Sequence, residues 1–291
     1  MKQETNQAGL LGFEKIALAV ARIKNYCSGK RVLVAFSGGK DSQCCYHLCR
    51  EAGIDFHAQF TVCRFEPPEQ INFVRDNYPD VTFRRNYKMT LVDEIAYRGL
   101  PSRWARWCCN NKHVKTEGYD ITVLGVRAAE SAKRRDSWRM FGQKPDRSFY
   151  LAPIIDWTEA DVWAYLNSRA IPHCCLYDEG FRRIGCVCCP LAITKKKRDW
   201  ERWPKIANVL FLGLKKHWRK AESMGGFSKT GREFTCLKFG TPEKCFKHWL
   251  LTGSTSPDYK PEMDVLPCMF AGTGFSESDG VHVEGIGEEP K

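Results

Sequence analysis

The stretch Val34–Gln43, VAFSGGKDSQ, decides the fold of this chain. It closes an apolar run, RVLVAFS (31–37), whose continuous hydrophobicity is typical of a buried parallel strand. Residues 41–52 then follow a helical pattern that ends at Gly53. A tight turn from a strand into a helix points backbone N–H groups at the place where the helix dipole favours anions. Since two glycines let the backbone approach a ligand closely, the stretch predicts a turn that binds phosphate or pyrophosphate.

Six residues of this turn are the predicted pyrophosphate ligands: Ser37, Gly38, Gly39, Lys40, Asp41 and Ser42. The serine hydroxyls add hydrogen-bond donors and Lys40 adds positive charge, while Asp41 either holds magnesium or caps the helix. The spacing differs from that of a Walker loop, and two glycines are too few for a dinucleotide-binding fingerprint. The alternative is a plain strand–helix turn with an aspartate cap.

The rest of the chain predicts an α/β fold. An amphipathic helix is expected at 11–26 and a second helix at 66–78. The helix that begins near 156 carries a capping box made by Thr158 and Asp161. Predicted strands fall at 31–37, 55–63, near 81–86, 120–126 and 149–155. Strands that alternate with helices predict a parallel twisted sheet with helices on both faces, joined by right-handed crossovers.

Changes in composition along the chain predict four regions. An N-terminal helix (1–30) precedes the α/β domain (31–190), and a small, basic, helical C-terminal region follows (191–265). In that region, helices are expected over 195–222 and 242–252. The last region (266–291) is rich in glycine and acidic residues, so a disordered tail is predicted.

The composition favours an acidic partner and reduced thiols. The net charge of +11 suits nucleotides, nucleic acids or anionic surfaces. No apolar run reaches the ~18 residues of a membrane span, and the N-terminus lacks the pattern of a secretory signal. A cytoplasmic protein without a membrane partner is therefore predicted, although the sequence leaves its oligomeric state open. Four segments mix basic and aromatic residues: SRWARW (102–107), KRRDSWR (133–139), KKKRDWERW (195–203) and KKHWRK (215–220). They favour a nucleic-acid acceptor, the alternative being solvated helix faces with tryptophans in the core.

The cysteines form two clusters that predict a metal site. Cys108 and Cys109 are adjacent, and Cys186 and Cys189 form a C-x-x-C motif that encloses Cys188. Four thiolates from two distant segments suit an iron–sulfur cluster or a zinc ion, and the residues alone leave the two open. Five other cysteines are expected in the core: Cys27, Cys44, Cys45, Cys49 and Cys63.

Several blocks of the sequence resemble known families. SGGKDS (37–42) resembles the PP-loop of the adenine-nucleotide alpha hydrolases, which cut ATP between its α and β phosphates. GVRAAESAKR (125–134) is similar to the Gly-x-Arg-x-x-Glu-Ser signature of the phosphoadenosine phosphosulfate (PAPS) reductase family. PIIDWTEADVWAYL, IPHCCLYDEGFRRIGC and CVCCP are similar to later blocks of that family. The resemblance covers about residues 30–190, and the paired cysteines look most like the ATPase branch of DNA phosphorothioation.

The resemblance implies a set of site residues and cofactors. Substrate phosphate would lie against Arg127, Glu130, Ser131 and Arg134, since guanidinium groups clamp phosphate or sulfate. The catalytic residues implied are Lys40, Asp41, Arg127 and Arg134. The cofactors implied are ATP with Mg²⁺ and a [4Fe-4S] cluster on Cys108, Cys109, Cys186 and Cys189.

The resemblance also implies a reaction. The chain lacks the Glu-Cys-Gly-Leu-His motif of the sulfonucleotide reductases and keeps the complete SGGKDS loop. It is therefore expected to adenylate an acceptor, with nucleic acid favoured, during sulfur transfer. A cysteine desulfurase or a thiol reductant would supply sulfur or electrons. The alternatives are a PAPS or adenosine phosphosulfate (APS) reductase that releases sulfite and a non-catalytic nucleotide-binding regulator.

Overall fold

A computed structural model describes residues 2–259, except for 112–113, 115, 145–146 and 193–195, and without the side chains of 2–11 and 196–197. The predicted tail, 266–291, lies outside the described residues. Residues 1–259 form one compact unit. The boundaries at 30 and 190 stay predictions.

One sheet organises the described residues. Its strands are β1 (Val32–Phe36), β2 (Phe56–Val62), β3 (Thr82–Arg85), β4 (Ile121–Val123), β5 (Phe141–Gln143) and β6 (Phe149–Leu151). The strand order is β3-β2-β1-β4-β6-β5, and every pairing is parallel except that of β5 with β6. The predicted α/β class with a parallel sheet is confirmed, and an antiparallel edge strand is added.

Helices follow most of the strands. They are α1 (Lys2–Cys27), α2 (Lys40–Glu51), α3 (Pro68–Asn77), α4 (Leu91–Arg98), α5 (Trp107–Asn111), α6 (Ala132–Ser137), α7 (Glu159–Ser168), α8 (Lys196–Arg202), α9 (Pro204–Ser223) and α10 (Pro242–Thr252). The capping box at the start of α7 is confirmed, because the Thr158 and Asp161 side chains each bond to the other's backbone N–H. α10 has the predicted bounds.

The C-terminal helical region differs from the prediction in one respect. The segment 195–222 is two helices, α8 and α9, because Pro204 has no N–H to continue α8 and instead begins α9. α9 packs along α4, which the sequence analysis does not predict. Thr90 caps α4 by accepting a hydrogen bond from the Asp93 N–H.

The hydrophobic core lies between the sheet and helices α1, α2 and α7, which also pack on one another. Its centre is β1, whose Val34 is fully buried in this core, while the neighbouring Leu33 is buried outside it. The five cysteines predicted to be in the interior are all buried. Because both faces of β1 are buried, its sequence does not alternate between polar and apolar residues. It is a continuous apolar run.

The strand order places a crevice at one edge of the sheet. From β1 the chain moves outward to β2 and β3, and from β4 it moves the other way to β6. In an open parallel sheet, the carboxyl ends of the strands on either side of such a reversal leave a crevice between their loops. The glycine turn follows β1, and Gly125 follows β4, so both lie at this edge.

Candidate nucleotide site and cysteine cluster

A polar cleft of about 220 Å³ opens at the carboxyl ends of β1 and β4. It is lined by Ala35, Ser37, Gly39, Asp41, Ser42, Leu124, Gly125, Val126, Glu130, Arg134, Tyr177, Arg183 and Ile184. The predicted turn and the predicted Arg127–Arg134 segment therefore meet in one site.

Hydrogen bonds within the turn fix its shape. The Ser42 hydroxyl donates to the Gly39 carbonyl oxygen over 2.8 Å and accepts the Ser37 N–H over 3.1 Å. The Ser37 hydroxyl accepts the Gly39 N–H over 3.4 Å. From outside the turn, the Gln70 amide donates to the Ser37 carbonyl oxygen over 2.5 Å. The two serines thus brace the turn as well as line the cleft.

Position 38 requires glycine because of its backbone conformation and because of a neighbouring side chain. Its φ is +70°, a conformation that L side chains rarely adopt. A Cβ atom at this position would lie 2.4 Å from Cγ2 of Val74 in α3. Gly39, with φ −80°, is the N-cap residue of α2, and no side chain caps this helix end. The Asp41 side chain is thus not the cap that one sequence alternative expected.

Lys40 points away from the cleft. Its ammonium group donates to the Arg182 carbonyl oxygen over 2.6 Å and lies 3.3 Å from a Glu159 carboxylate oxygen. The side chain is 3% exposed, and its backbone N–H donates to the Tyr177 hydroxyl over 2.9 Å. Lys40 does not line the cleft in this arrangement of the described residues but joins α2 to the 177–182 segment, and its contact with pyrophosphate stays a prediction.

Asp41 and Arg127 form a partly buried ion pair. The Arg127 Nε–H donates to the Asp41 carboxylate, and the two side chains are 5% and 17% exposed. Beside them, the loop after β4 passes very close to α2. A Cβ atom on Gly125 would lie 2.8 Å from the Asp41 carbonyl group and 2.9 Å from the Ser42 nitrogen. Asp41 lines the cleft, whereas Arg127 lies behind it.

Positive charge gathers on the far wall of the cleft. Arg134 pairs with Glu130, and Arg183 lies nearby. Burial, together with the positive charges of Arg183 and Arg127, lowers the pKa of the Arg134 guanidinium. Since crowded cations cost free energy, a bound anion would relieve this repulsion. The fourth residue of the predicted set, Ser131, lies outside the cleft lining and caps α6 by accepting the Arg134 N–H over 3.2 Å.

Seven residues of the cleft lining are not among the predicted site residues, and five of them belong to the family-like blocks. Tyr177 and Arg183 belong to the quoted block IPHCCLYDEGFRRIGC, so their presence in a family block was the available signal. Gly125 opens the quoted block GVRAAESAKR in the same way. Nothing in the local pattern shows that these positions reach the glycine turn, because that depends on the packing of three loops.

The four cysteines predicted as metal ligands lie close enough to influence one another. The pKa of Cys108 is raised strongly by its hydrogen bond with Cys109, by burial, and by the charges of the other three thiols. Burial and the charges of Cys186 and Cys109 raise the pKa of Cys189. No group of three or more His, Cys, Asp or Glu side chains among the described residues has an arrangement that could hold a metal ion as it stands. The four thiols are therefore chemically suitable ligands for a metal centre, but in this arrangement they are not positioned around a common metal ion.

Cys63, expected only as a core residue, joins this group of thiols. Its sulfur lies 3.8 Å from that of Cys186. Cys63 directly follows β2, at the same edge of the sheet as the cleft. This position in the sequence could have predicted that it lies near the other thiols. Cys188 is buried, with φ +53°, and its N–H donates to the Asp199 carboxylate over 2.8 Å. Burial makes Cys188 a poor reactive thiol.

The fold and the cleft define an α/β protein with a polar cleft, lined in part by arginines, at the reversal of strand order. The chain belongs to the phosphoadenosine phosphosulfate reductase domain family, which matches residues 31–192. This confirms the resemblance found in the sequence for the family, while the phosphorothioation branch stays a prediction.

Curated relatives match at low identity. An uncharacterized protein of Methanocaldococcus jannaschii is 30% identical over 73% of this chain and 48% of its own length. Adenosine 5'-phosphosulfate reductases of Shouchella clausii and Neisseria meningitidis are 26% and 32% identical, over 61% and 48% of this chain and 78% and 63% of their own lengths. The chain spans about half the length of the Methanocaldococcus proteins that it matches.

Among solved structures, a PAPS reductase of Candida auris matches with a TM-score of 0.46 and 16% identity, over 58% of this chain and 87% of its own. An FMN adenylyltransferase of Candida glabrata matches with a TM-score of 0.45 and 16% identity, over 61% of this chain and 62% of its own. No helix within the described residues combines the length and the hydrophobicity that a membrane crossing requires.

Proposed function

We propose that this chain binds ATP in the cleft and transfers its adenylyl group to an oxygen atom of an acceptor, as the first step of a sulfur-transfer reaction. The feature that carries this proposal is the braced glycine turn, which faces Arg134 and Arg183 across the cleft. A turn at a helix N-terminus, opposite guanidinium groups, suits a ligand with several phosphates.

The chemistry assigned to these residues is electrostatic. The acceptor oxygen attacks the α-phosphorus, the bond from that phosphorus to the bridging oxygen breaks, and pyrophosphate leaves with the electron pair. Arg134 and Arg183 stabilise the charge on the departing group. Asp41 is the carboxylate that would hold Mg²⁺, because magnesium in nucleotide sites takes one or two carboxylates together with substrate phosphates.

The second step uses sulfur. A persulfide, charged by a cysteine desulfurase, attacks the activated carbon of the acceptor; the carbon–oxygen bond breaks and AMP leaves. A second thiol then cleaves the resulting disulfide, and a thiol reductant restores the thiols. Because Cys108, Cys109, Cys186 and Cys189 are assigned to the metal centre, the persulfide and the second thiol in this step are those of the cysteine desulfurase and the thiol reductant.

A metal centre belongs to the same proposal. Cys108, Cys109, Cys186 and Cys189 would hold a [4Fe-4S] cluster, with Zn²⁺ as the alternative, because their thiols gather from two segments. When bound, such a cluster supplies electrons or a site for sulfur. Iron and sulfide analysis of protein purified without oxygen tests this assignment, and stoichiometric zinc without sulfide would overturn the iron assignment.

The reductase alternative is favoured by the similarity to adenosine 5'-phosphosulfate reductases. Such a reaction needs a thiol that reaches the substrate sulfur. In the C-terminal part of the chain that the structure describes, Cys236 and Cys245 are buried, with 3% and 0% of their surface exposed. Cys268 lies outside the described residues. A Cys268→Ser variant therefore decides whether a C-terminal thiol is needed.

The deciding experiment compares two products. Anaerobic protein is incubated with ATP, Mg²⁺ and pooled RNA or DNA, and pyrophosphate and AMP are measured. In parallel it is incubated with APS or PAPS and a thiol reductant, and sulfite is measured. Pyrophosphate that depends on the acceptor supports the proposal; sulfite without pyrophosphate establishes the reductase. ATP binding without either product indicates a regulator.

Arg134 and its neighbour Arg135 provide matched variants. Arg134 lines the cleft, whereas the side chain of Arg135 is 69% exposed. Arg134→Ala is expected to slow pyrophosphate release by about 10²–10³-fold, the usual effect of removing one donor from developing charge. Arg135→Ala should leave the rate near that of the wild type, and equal rates for the two variants would remove Arg134 from the mechanism.

A further inference from the structure

We infer that a surface formed by Tyr97, Arg98, Trp104 and Arg106, termed here the aromatic–basic patch, binds single-stranded nucleic acid. We further infer that the bound strand is the acceptor of the adenylyl group, and this part of the inference rests on the proposed function. The patch borders a shallow depression of about 650 Å³ that is also lined by Ala105, Trp107 and Asn110.

The structure separates Trp104 from the other tryptophans of the four basic segments. Trp107, Trp203 and Trp218 are buried in the interior. Trp138 packs on Tyr150 and Trp200 packs on Phe246. The solvated-helix alternative therefore explains three of the segments, 133–139, 195–203 and 215–220.

In contrast, the Trp104 side chain is 79% exposed, and the nearby Tyr97 is 64% exposed. Both rings line the same depression. Two large aromatic rings that face water side by side are unusual on a folded protein and mark a binding surface. The exposed Trp104 ring is available for stacking, whereas the Tyr97 ring has cations against it.

The charge around the two rings is positive. The guanidinium of Arg98 lies 5.9 Å from the centre of the Tyr97 ring, and the ammonium of Lys220 lies 4.8 Å from it. Arg106, two residues after Trp104 in the sequence, is exposed and lines the same depression.

Two carboxylates lie on the same helix as Tyr97. Glu94 is buried and pairs with Arg64 and with Arg98, the latter over 3.3 Å. Asp93 pairs with Lys216 of α9 over 3.2 Å. Neither pair cancels the positive charge of Arg106, so the patch favours a polyanion.

This chemistry favours nucleic acid over an apolar partner. Trp104 lies between Arg103 and Ala105, with Arg106 one residue further on, so small and charged side chains surround the ring instead of large aliphatic ones. Exposed aromatic faces beside guanidinium groups match unstacked bases joined by phosphates, the pattern of sequence-tolerant single-strand binding. A duplex hides its base faces, so it would use only the charges.

The patch also adjoins the cysteine cluster. Asn110, which lines the depression, follows the exposed Cys109 on the short helix α5. A strand seated on the patch therefore passes close to one thiol of that cluster, as an acceptor of sulfur requires.

The test measures binding by fluorescence anisotropy, with the full chain and without ATP. The probes are a 5'-fluorescein-labelled RNA 20-mer, the same sequence as DNA, and its duplex. Trp104→Ala should weaken single-strand binding by about 5- to 150-fold, the range for losing one base stack. Trp104→Phe should retain most of the affinity. Phe13→Ala, at a 70% exposed aromatic residue on α1, is the matched control and should bind as the wild type does.

Salt dependence tests the charges. Arg106→Ala should reduce the slope of log affinity against log salt by about 0.7 if Arg106 contacts one phosphate of a single strand. Lys24→Ala, at an exposed lysine on α1, should leave the slope unchanged. The RNA and DNA arms show which acceptor the patch prefers.

Three results would overturn the inference: equal affinity in Trp104→Ala and the wild type, tighter binding of the duplex than of the single strands, or equal competition by polyglutamate of similar charge. ATP binding is measured separately. If ATP binds but Trp104 is irrelevant, the patch fails and the cleft stands. If the patch binds strands but no pyrophosphate forms, the proposed reaction fails instead.

Discussion

Replacing Gly125 with alanine tests whether the close approach of two loops builds the cleft. The added Cβ atom would lie 2.8 Å from the Asp41 carbonyl carbon and oxygen, and these backbone atoms cannot rotate away. To reach the 3.4 Å of ordinary contact, the loops must separate by about 0.6 Å. Gly125 has no positive φ, so the whole effect comes from this contact.

The magnitude follows from the displacement. Overpacking of this kind costs about 1–3 kcal/mol of unfolding free energy, which in a chain of this size lowers Tm by about 2–12 °C. Because the displaced atoms are those of Asp41 and Ser42, ATP affinity should fall by about 5- to 100-fold, as a misplacement approaching 1 Å can cost 10²-fold. Differential scanning fluorimetry measures the first effect and isothermal titration calorimetry measures the second.

Gly185 supplies the matched control. It lies in the segment that carries Arg183 and Ile184, and a Cβ atom added there would meet nothing within 4 Å. Gly185→Ala should change stability by less than about 0.5 kcal/mol and leave ATP affinity unchanged. If Gly125→Ala binds ATP as tightly as Gly185→Ala and keeps its Tm, the loop contact has no part in the site.

Three other predictions concern stability, pH and metal. Asp41→Asn should destabilise the protein by about 3–5 kcal/mol because it leaves the buried Arg127 guanidinium without its partner, and the double variant with Arg127→Met should regain part of this loss in urea denaturation. Burial and the nearby Arg50 lower the pKa of His47 below its usual 6.5. As the pH falls, the unfolded chain therefore binds more protons than the folded chain, so the free energy of unfolding should fall between about pH 7 and pH 5. The fall should be smaller in His47→Gln. Cys108→Ser should lower the iron content of anaerobic protein, whereas Cys175→Ser, at an exposed cysteine outside the predicted ligand set, should not; equal iron in both would contradict the assignment.

The strongest sequence patterns gave the most accurate structural predictions. The strand before the glycine turn and the helix after it were placed to within one or two residues, since a buried apolar run and a glycine stop act locally. α4 lies between the strands predicted near 81–86 and 120–126, where helical segments were expected without bounds, although Thr90 and Gly99 flank it as a cap and a stop. Strand β5 is three residues long and pairs only at the sheet edge, so its formation depends on β6.

The direction of individual side chains was beyond the sequence. Lys40 has the position expected of a phosphate ligand, but its ammonium group is satisfied by Glu159 and by a carbonyl oxygen from a distant segment. Likewise, Trp104 and Trp107 belong to one motif, yet one is exposed and the other is buried. Such differences are set by tertiary packing, which a motif does not contain.

Arg183 lines the cleft, and Cys186, one of the predicted metal ligands, follows it three residues later in the same segment. Three residues of chain span at most about 11 Å, so the two sites share a short tether. The far end of the tether is pinned, because the Val187 N–H donates to the Phe65 carbonyl oxygen over 2.6 Å. If a ligand in the cleft shifts Arg183, this short segment passes part of the shift to Cys186. In that case, by thermodynamic reciprocity, occupancy of the thiols alters the affinity of the cleft by the same factor.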